Sequence, residues 1–485
     1  MVEDGTPLRR AETPIPGLTV WDIPVHGDQR GWFKENWQRE KMVAAGLPDF
    51  GPVQNNISFN KSVGTTRGLH AEPWDKWVSV ATGRVFGAWV DLREGPGFGA
   101  TFTVEIDPTV AVFVPRGVAN GFQTLEPNTA YSYLVNDHWS SDASYTFVNL
   151  ADRTLNIPWP IALDRAVVSP ADAKHPPLSP SLGTPTKKTL VIGRNGQLGS
   201  ALRNLWGGAR SVDYVDRDEL DITSTGLERA RVWNDYSVVV NAAAYTAVDA
   251  AETPTGRRDA WAINAAAVEN LARICRRHAL TLVHVSTDYV FDGDSRRPYR
   301  EDDPVCPIGV YGQSKAAGDL AAQSVPSHFI VRTSWVIGGG TNFVRTMARL
   351  ADDGKPVKVV TDQLGRLTFA EDLAAGIAHL IDERLPPGIY NVTNAGEPTS
   401  WARIAQEVYR ARGQNPELVS GISTAEYTES RTETRVAARP AYSVLDLSKV
   451  TSSGFTPADH LERLATWMRE NLREAGTSAR HGSDR

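Results

Sequence analysis

"KKTLVIGRNGQLGS" (residues 187–200) is a short apolar run that passes straight into spaced glycines. Gly193, Gly196 and Gly199 form G-x-x-G-x-x-G. Without side chains they permit a tight turn and let backbone N–H groups approach a pyrophosphate at a helix N-terminus. Turns of this kind also serve packing alone, so the glycines by themselves leave both readings open. The next run, "SVDYVDRDELDIT" (211–223), adds Asp216 near the distance expected of a ribose-binding acid. Arg217 beside it suits a 2′-phosphate. Acid and base together leave NADH and NADPH both open.

A nucleotide-binding start usually opens a domain, yet here it follows a long preceding segment. At 485 residues the chain exceeds one ordinary core, and two or three domains are expected. Hydrophobic residues at 41% and charged residues at 22% match a globular protein. The net charge of −6 gives no support for a nucleic-acid or anionic-membrane partner. No run of about 18 apolar residues occurs, which argues against a membrane span. The start "MVEDGTPLRRAETP" lacks the apolar stretch of a secretory signal. Cys275 and Cys306 fit neither a zinc spacing nor a disulfide framework, so a cytoplasmic setting is expected.

"HPPLSPSLGTPTKK" (175–188) divides the chain, since its Pro and Gly forbid a regular element. Before it, "KWVSVATGRVFGAWVDLR", "TFTVEI", "AVFVPRG" and "TAYSYLV" alternate apolar and polar residues at about period two between turn signals. An antiparallel all-β sandwich or barrel follows. After it, "TLVIG", "SVVVNAAA", "LTLVHVST", "FIVRTSWV" and "VKVVTDQ" alternate with helical stretches such as 257–278 and 341–352. That rhythm predicts an α/β doubly wound parallel sheet covered on both faces. The expected division is a β domain at 1–182, a linker at 183–187, an α/β domain with a small substrate subdomain at 188–475, and a disordered tail at 476–485.

"VYGQSK" supplies Tyr311 and Lys315, four apart and so on one helix face. An adjacent ammonium favours a phenolate, and a drop of about three pKa units corresponds to roughly 4 kcal/mol. "HVSTDYVF" ends a strand with Ser286, Thr287 and Asp288, at the edge where open α/β sheets place ligands. Tyr-x-x-x-Lys alone is a common surface pattern. Glycine turn, strand-end Thr and Tyr-x-x-x-Lys in that order point to hydride-transfer chemistry.

"GRNGQLG", "VVVNAAAYTAVDAAE", "VHVSTDYVFDG", "VYGQSK", "VRTSWV" and "TDQLGRLT" resemble the dTDP-4-dehydrorhamnose reductases, an extended short-chain dehydrogenase family, over about 187–475. The resemblance implies NAD(P)H-dependent reduction of the C4 ketone of a deoxysugar nucleotide. It implies Tyr311 as proton donor, Lys315 as its tuning partner and nicotinamide-ribose ligand, and Thr287 bonding the same region. Cofactor contacts are implied at Gly193, Asn195, Gly196, Gln197, Leu198, Gly199, Asp216, Arg217, Asp221, Ala242, Ala243, Ala244, Tyr311 and Lys315. Sugar contacts are implied at Thr246, Val248, Asp288 and Trp335.

In the first half the densest polar cluster is "TTRGLHAEPWDKWVSV" (65–80), with Arg67, His70 and Lys76. In strict alternation Arg67 and His70 point to opposite faces; both line one cavity only if the strand bulges, most cheaply at Gly68. No H-x-H pair occurs, and His26, His138 and His175 are scattered, so no metal is expected. "DQRGWFKENW", "VQNNIS", "TTRGLH", "FVPRGVANGF", "YSYLV", "IPWP" and "VSPADAKHPPL" resemble the dTDP-4-dehydrorhamnose 3,5-epimerases, jelly-roll (cupin-type) proteins, over about 15–180.

The resemblance implies His70 as the base, oriented by Asp172, Tyr133 as the acid on the opposite face, and Lys76 as the stabiliser of the enolate oxygen. It implies sugar-nucleotide contacts at Arg30, Glu35, Gln54, Asn56, Arg67 and Asn120, no cofactor for this half, and a homodimer through the barrel. Three departures stand out. Asn120 occupies a usual His, His138 a usual Tyr, and Ala71-Glu72 an aromatic-Gln pair. The chain thus reads as a bifunctional enzyme acting on a dTDP-4-keto-6-deoxysugar. The rival readings are a catalytically weak barrel that dimerises the chain or binds nucleotide, and activity on a related deoxysugar.

Overall fold

The computed structural model describes residues 8–138, 145–183, 187–208, 211–431 and 436–472. The expected tail at 476–485 and most of the expected linker lie outside the described residues. The chain separates into two compact units, Met1–Thr186 and Lys187–Arg485.

The N-terminal unit packs two antiparallel sheets face to face. One runs Arg9–Glu12, Thr19–Asp22, Val110–Val114, Lys76–Thr82, Thr129–Val135, Gln54–Asn60 in spatial order. The other runs Thr146–Phe147, Thr65–Ala71, Val118–Thr124, Val85–Asp91, Thr101–Ile106, with Val167–Val168 added in parallel to Thr65–Ala71. Neighbouring strands are mostly far apart in sequence, as in a jelly roll. Val78, Val80 and Tyr131 of the first sheet meet Val85, Trp89, Ile106 and Phe122 of the second in one core. The hairpin Val25–Asp28/Gly31–Lys34 pairs with neither sheet.

The expected bulge is present. Asn120 pairs His70 and Phe122 pairs Arg67, so two steps on one strand oppose three on the other. Gly68 has φ +119°, and a Cβ there would lie 2.6 Å from Gly121 Cα and 2.8 Å from the Asn120 carbonyl. Only glycine tolerates that conformation and approach. The extra residue turns Arg67 and His70 to the same cavity.

In the C-terminal unit six parallel strands stand in the order Val212–Val215, Lys188–Ile192, Tyr236–Asn241, Thr281–Thr287, His328–Thr333, Gly388–Asn391. One face is covered by a core containing Val268, Leu271 and Ile274, the other by one containing Leu202, Leu373 and Ile377. Strand order reverses between Lys188–Ile192 and Tyr236–Asn241, which opens a crevice at their carboxyl ends. "VKVVTDQ" departs from expectation. Val357–Val360 pairs with Val419–Ile422 outside the main sheet, in a subdomain built on Val344, Ile404, Val408 and Trp467. The sixth sheet strand is instead Gly388–Asn391. Among the described residues no helix is long and apolar enough to cross a membrane.

Candidate functional site

Each unit assembles its own polar cavity. In the sandwich a cavity of about 190 Å³ is lined by Ser58, Arg67, His70, Glu72, Lys76, Asn120, Tyr131 and Tyr133. His70 comes from one sheet and Lys76 and Tyr133 from the other, so the expected base and acid occupy opposing walls. His70 Nε2 lies 2.9 Å from Asp172 Oδ1. Asp172 is buried at the start of the short turn Asp172–Lys174, and its N–H donates to Ser169 Oγ at 3.0 Å. Burial pulls the His70 pKa below its ordinary value, and the Asp172 carboxylate opposes that shift. At neutral pH the ring is therefore the neutral form that accepts a proton.

Lys76 is buried, with its ammonium against Glu72 and Asn120 Oδ1 and 5.9 Å from the Tyr133 ring. Burial pushes its pKa down to about 7, while the carboxylate of Glu72 in contact with it holds charge on the amine. Tyr133 is pushed up by burial and so stays a phenol. Two of the departures from the epimerase pattern, Asn120 and Glu72, thus both meet Lys76. Asn120 Nδ2 also donates to Tyr131 Oη at 3.3 Å.

Ser58, Asn56 and Gln54 alternate along one face of an edge strand, and Asn56 pairs with Tyr133. That face leads out of the cavity, with Gln54 Nε2 donating to Asn56 Oδ1 at 2.9 Å. Arg30 and Glu35 are not brought there. Arg30 is 86% exposed at the hairpin turn, paired with Asp28; Glu35 pairs with Lys41 beside a different cavity, because the hairpin belongs to neither sheet. His138 is exposed and outside the cavity.

The sequence missed His175. Its Nε2 lies 3.7 Å from Asp172 Oδ1, and its ring stacks on Phe147 at 4.8 Å and stands 5.3 Å from the His70 ring. Only the turn at 172–174 brings it there, so spacing along the chain gave no signal.

In the C-terminal unit a cavity of about 310 Å³ is lined by Gly193, Gly196, Asp216, Arg217, Asp221, Ala242, Ala243 and Ala244. A Cβ at Gly193 would press on Ala242 and Ala243 at 3.0–3.2 Å, and one at Gly199 would lie 2.1 Å from the Gly193 carbonyl. The helix Gln197–Trp206 begins at Gly196 with no side-chain cap, which leaves its first N–H groups for an anion. Gln197 Oε1 is buried without a partner. Asn195 hydrogen-bonds the Asp216 carboxylate, and the Arg217 side chain is 74% exposed, 3.9 Å from Asp221. These residues fit a dinucleotide. Leu198 differs, since it packs into the core beneath.

On the helix Val310–Gln323 Lys315 is buried and Tyr311 half-buried, with Tyr311 hydrogen-bonded to Thr287. The adjacent ammonium does not lower Tyr311: burial raises it well above the ordinary phenol range, with the Thr287 bond opposing. The reason is the lysine's own geometry. Lys315 Nζ donates to the Val285 carbonyl at 2.6 Å and lies 3.3 Å from His284 Nε2. Burial pushes Lys315 down to about 8. His284 is itself buried and held neutral by desolvation and the Lys315 charge; its Nδ1 lies 3.3 Å from the Asn241 amide. Asn241 Oδ1 in turn accepts the Ala243 N–H at 3.3 Å, tying the lysine to the loop that lines the cofactor cavity.

Asn264, inside a π-helical turn at Ala262–Ala266, accepts the Tyr245 N–H and donates to the Tyr245 carbonyl and to Ser314 Oγ, at 2.8–3.0 Å. It clamps that loop to the catalytic helix, and no motif announced it.

Asp288 is buried beneath Thr287, whose Oγ1 donates to it at 2.9 Å. Burial raises Asp288 to about 6. Thr246 is exposed and Val248 half-buried on the loop after Asn241. Trp335, at φ +44°, stacks on Trp401 at 3.9 Å. Trp401 then lines a cavity of about 330 Å³ with Lys358, Tyr427, Arg431 and Arg439. These three cations were not legible as a group, because Lys358 lies more than 70 residues before Arg431 and Arg439.

Residues 187–473 match the family model of the RmlD substrate binding domain, and residues 12–180 match that of dTDP-4-dehydrorhamnose 3,5-epimerase. A dTDP-4-dehydrorhamnose reductase of Streptomyces griseus is 42% identical over 286 residues, 57% of this chain and 91% of the relative. The Protein RmlC homolog of Streptococcus pyogenes is 56% identical over 172 residues, 34% of this chain and 86% of the relative. This chain belongs to both families. It joins an epimerase domain and a reductase domain of dTDP-L-rhamnose biosynthesis. A crystal structure of the Bacillus anthracis reductase, in complex with NADP, matches at 34% identity over 59% of this chain and 99% of that one, with a TM-score of 0.54.

Proposed function

We propose that the chain carries out two consecutive reactions on one dTDP-linked 4-keto-6-deoxysugar, divided at the segment 183–187. The observation that carries this reading is the opposition of His70–Asp172 to Lys76 and Tyr133 across one cavity of the N-terminal unit, together with the Tyr311–Thr287–Lys315 cleft of the C-terminal unit. In the first reaction the C4 carbonyl acidifies the hydrogens at C3 and C5. His70 removes a proton, its charge balanced by Asp172. Lys76 stabilises the enolate oxygen, and Tyr133 returns a proton from the other wall. Arg67, Asn56 and Gln54 line the way out towards the diphosphate.

In the second reaction Tyr311 donates a proton to the C4 oxygen with Thr287 bonded to the same hydroxyl. The nicotinamide, when bound, supplies the hydride. Gly193–Gly199 and the first turn of the helix that follows hold its pyrophosphate, and Asp216 and Arg217 meet the adenosine ribose, as diol or 2′-phosphate, so NADH and NADPH both fit. Lys358, Arg431 and Arg439 give the sugar nucleotide's diphosphate a cationic seat.

Incubation with dTDP-4-keto-6-deoxyglucose in D₂O without nicotinamide tests the first half directly. Mass spectrometry is expected to find two deuterons taken up, one each at C3 and C5. One deuteron would make the barrel a mono-epimerase, and none would make it a binding module. We further propose a homodimer through the barrel. Ile57 and Phe59 stand 65% and 56% exposed on the edge strand Gln54–Asn60, an apolar strip next to an unpaired strand edge. Sizing chromatography should give twice the chain mass; a monomer at micromolar concentration would refute it.

A further inference from the structure

We propose that His70, Asp172 and His175 form a binding site for a divalent transition-metal ion of the zinc class, and that occupation of this site switches off proton abstraction in the N-terminal unit. The inference rests on the assignment of His70 as the base. One ligand atom from each of the three residues falls within 4.8 Å of the others. Asp172 Oδ1 lies between the rings, 2.9 Å from His70 Nε2 and 3.7 Å from His175 Nε2. Ligands at about 2.0–2.2 Å from a tetrahedral zinc stand about 3.3–3.6 Å apart, so small side-chain rotations suffice to close the site.

The donor set also points to this class of ion. Two imidazoles and one carboxylate suit zinc, cobalt(II) or nickel(II), whereas calcium and magnesium prefer oxygen ligands. Packing on Phe147 fixes the plane of the His175 ring with Nε2 turned towards Asp172. The cavity gives the ion access from the His70 side. On binding, the metal displaces the Nε2 proton of His70 from its bond to Asp172, and that proton is taken up, by way of solvent, at Nδ1, so the ring stays neutral. Nε2 and the Asp172 carboxylate give their lone pairs to the metal, and Nδ1, now an N–H, has none left for the sugar. The base is then gone, while the reductase cleft, built from other residues, keeps its activity.

The fusion supplies its own control. Zn²⁺ is titrated against deuterium uptake by the full chain and, in parallel, against reduction of dTDP-4-dehydro-L-rhamnose by the same chain. Uptake is expected to fall at least about tenfold at micromolar zinc with reduction retained. His175→Gln should raise the half-inhibiting zinc concentration at least about tenfold, measured against that variant's own zinc-free rate, as loss of one ligand of three requires.

Equal zinc sensitivity in the variant, or parallel loss of reduction, would overturn the proposal and place the effect on the substrate diphosphate. Should His175→Gln misfold, cobalt(II) titration of the wild-type chain and of Asp172→Asn without substrate decides. Visible ligand-field bands in the first and not the second support the site; bands in both, or in neither, overturn it.

Discussion

His70→Gln is expected to lower deuterium uptake at C3 and C5 by about a thousandfold, the scale of losing a positioned general base. Reduction of dTDP-4-dehydro-L-rhamnose by the same variant should be unchanged, because every residue assigned to that step lies beyond Lys187. Glutamine keeps the size and a hydrogen bond to Asp172, so the cavity stays filled and the loss reports chemistry. The pH profile carries the sign. Burial lowers His70 below its ordinary 6.5, so the ring is neutral and competent at neutral pH. Uptake by the parent should fall as pH drops through that lowered pKa, and stay level above it until other groups titrate. A midpoint above 6.5, or a variant retaining a tenth of the parental exchange, would remove His70 from the role of base.

Much of this architecture was legible because it depends on local pattern. Period-two alternation gave the sandwich, and the glycine turn with Tyr-x-x-x-Lys gave the reductase cleft. The bulge at Gly68 was legible for a subtler reason: two polar residues three apart reach one cavity only if the strand gains a residue, and one glycine lies between them. What stayed hidden is tertiary. His175 reaches His70 only through a short turn after Asp172, and Lys358 meets Arg431 and Arg439 from a strand more than 70 residues earlier in the chain.

Val357–Val360 was misplaced because a short apolar run predicts a strand without saying which sheet it joins. Arg30 and Glu35 stand apart from the cavity of their own chain: a motif match names residues, while the hairpin that holds Arg30 and leads into Glu35 joins neither sheet. Lys315 shows the limit of adjacency. Four residues from Tyr311 on a helix, it spends its ammonium on the Val285 carbonyl and His284, and burial governs the phenol instead.

That geometry makes Tyr311→Phe the sharper test of the second half. The change removes one oxygen and keeps the ring, so the T-shaped contact with Tyr289 at 5.5 Å survives. The kcat for reduction should fall about a thousandfold, roughly 4 kcal/mol of transition-state stabilisation. Cofactor affinity, followed by nicotinamide fluorescence, should hold, because the dinucleotide cavity lies on other residues. A phenol raised by burial remains protonated through neutral pH and is a donor without needing activation. The alkaline limb of the parent therefore belongs to Lys315. Its pKa of about 8 means that the charge beside the site is present below pH 8 and is lost above it, so kcat should decline as pH rises through that value. Weakened cofactor binding in Tyr311→Phe would make the tyrosine a ligand of the dinucleotide. A kcat within tenfold of the parent would place the proton donor elsewhere, with Thr287, already bonded to the same hydroxyl, the nearest alternative.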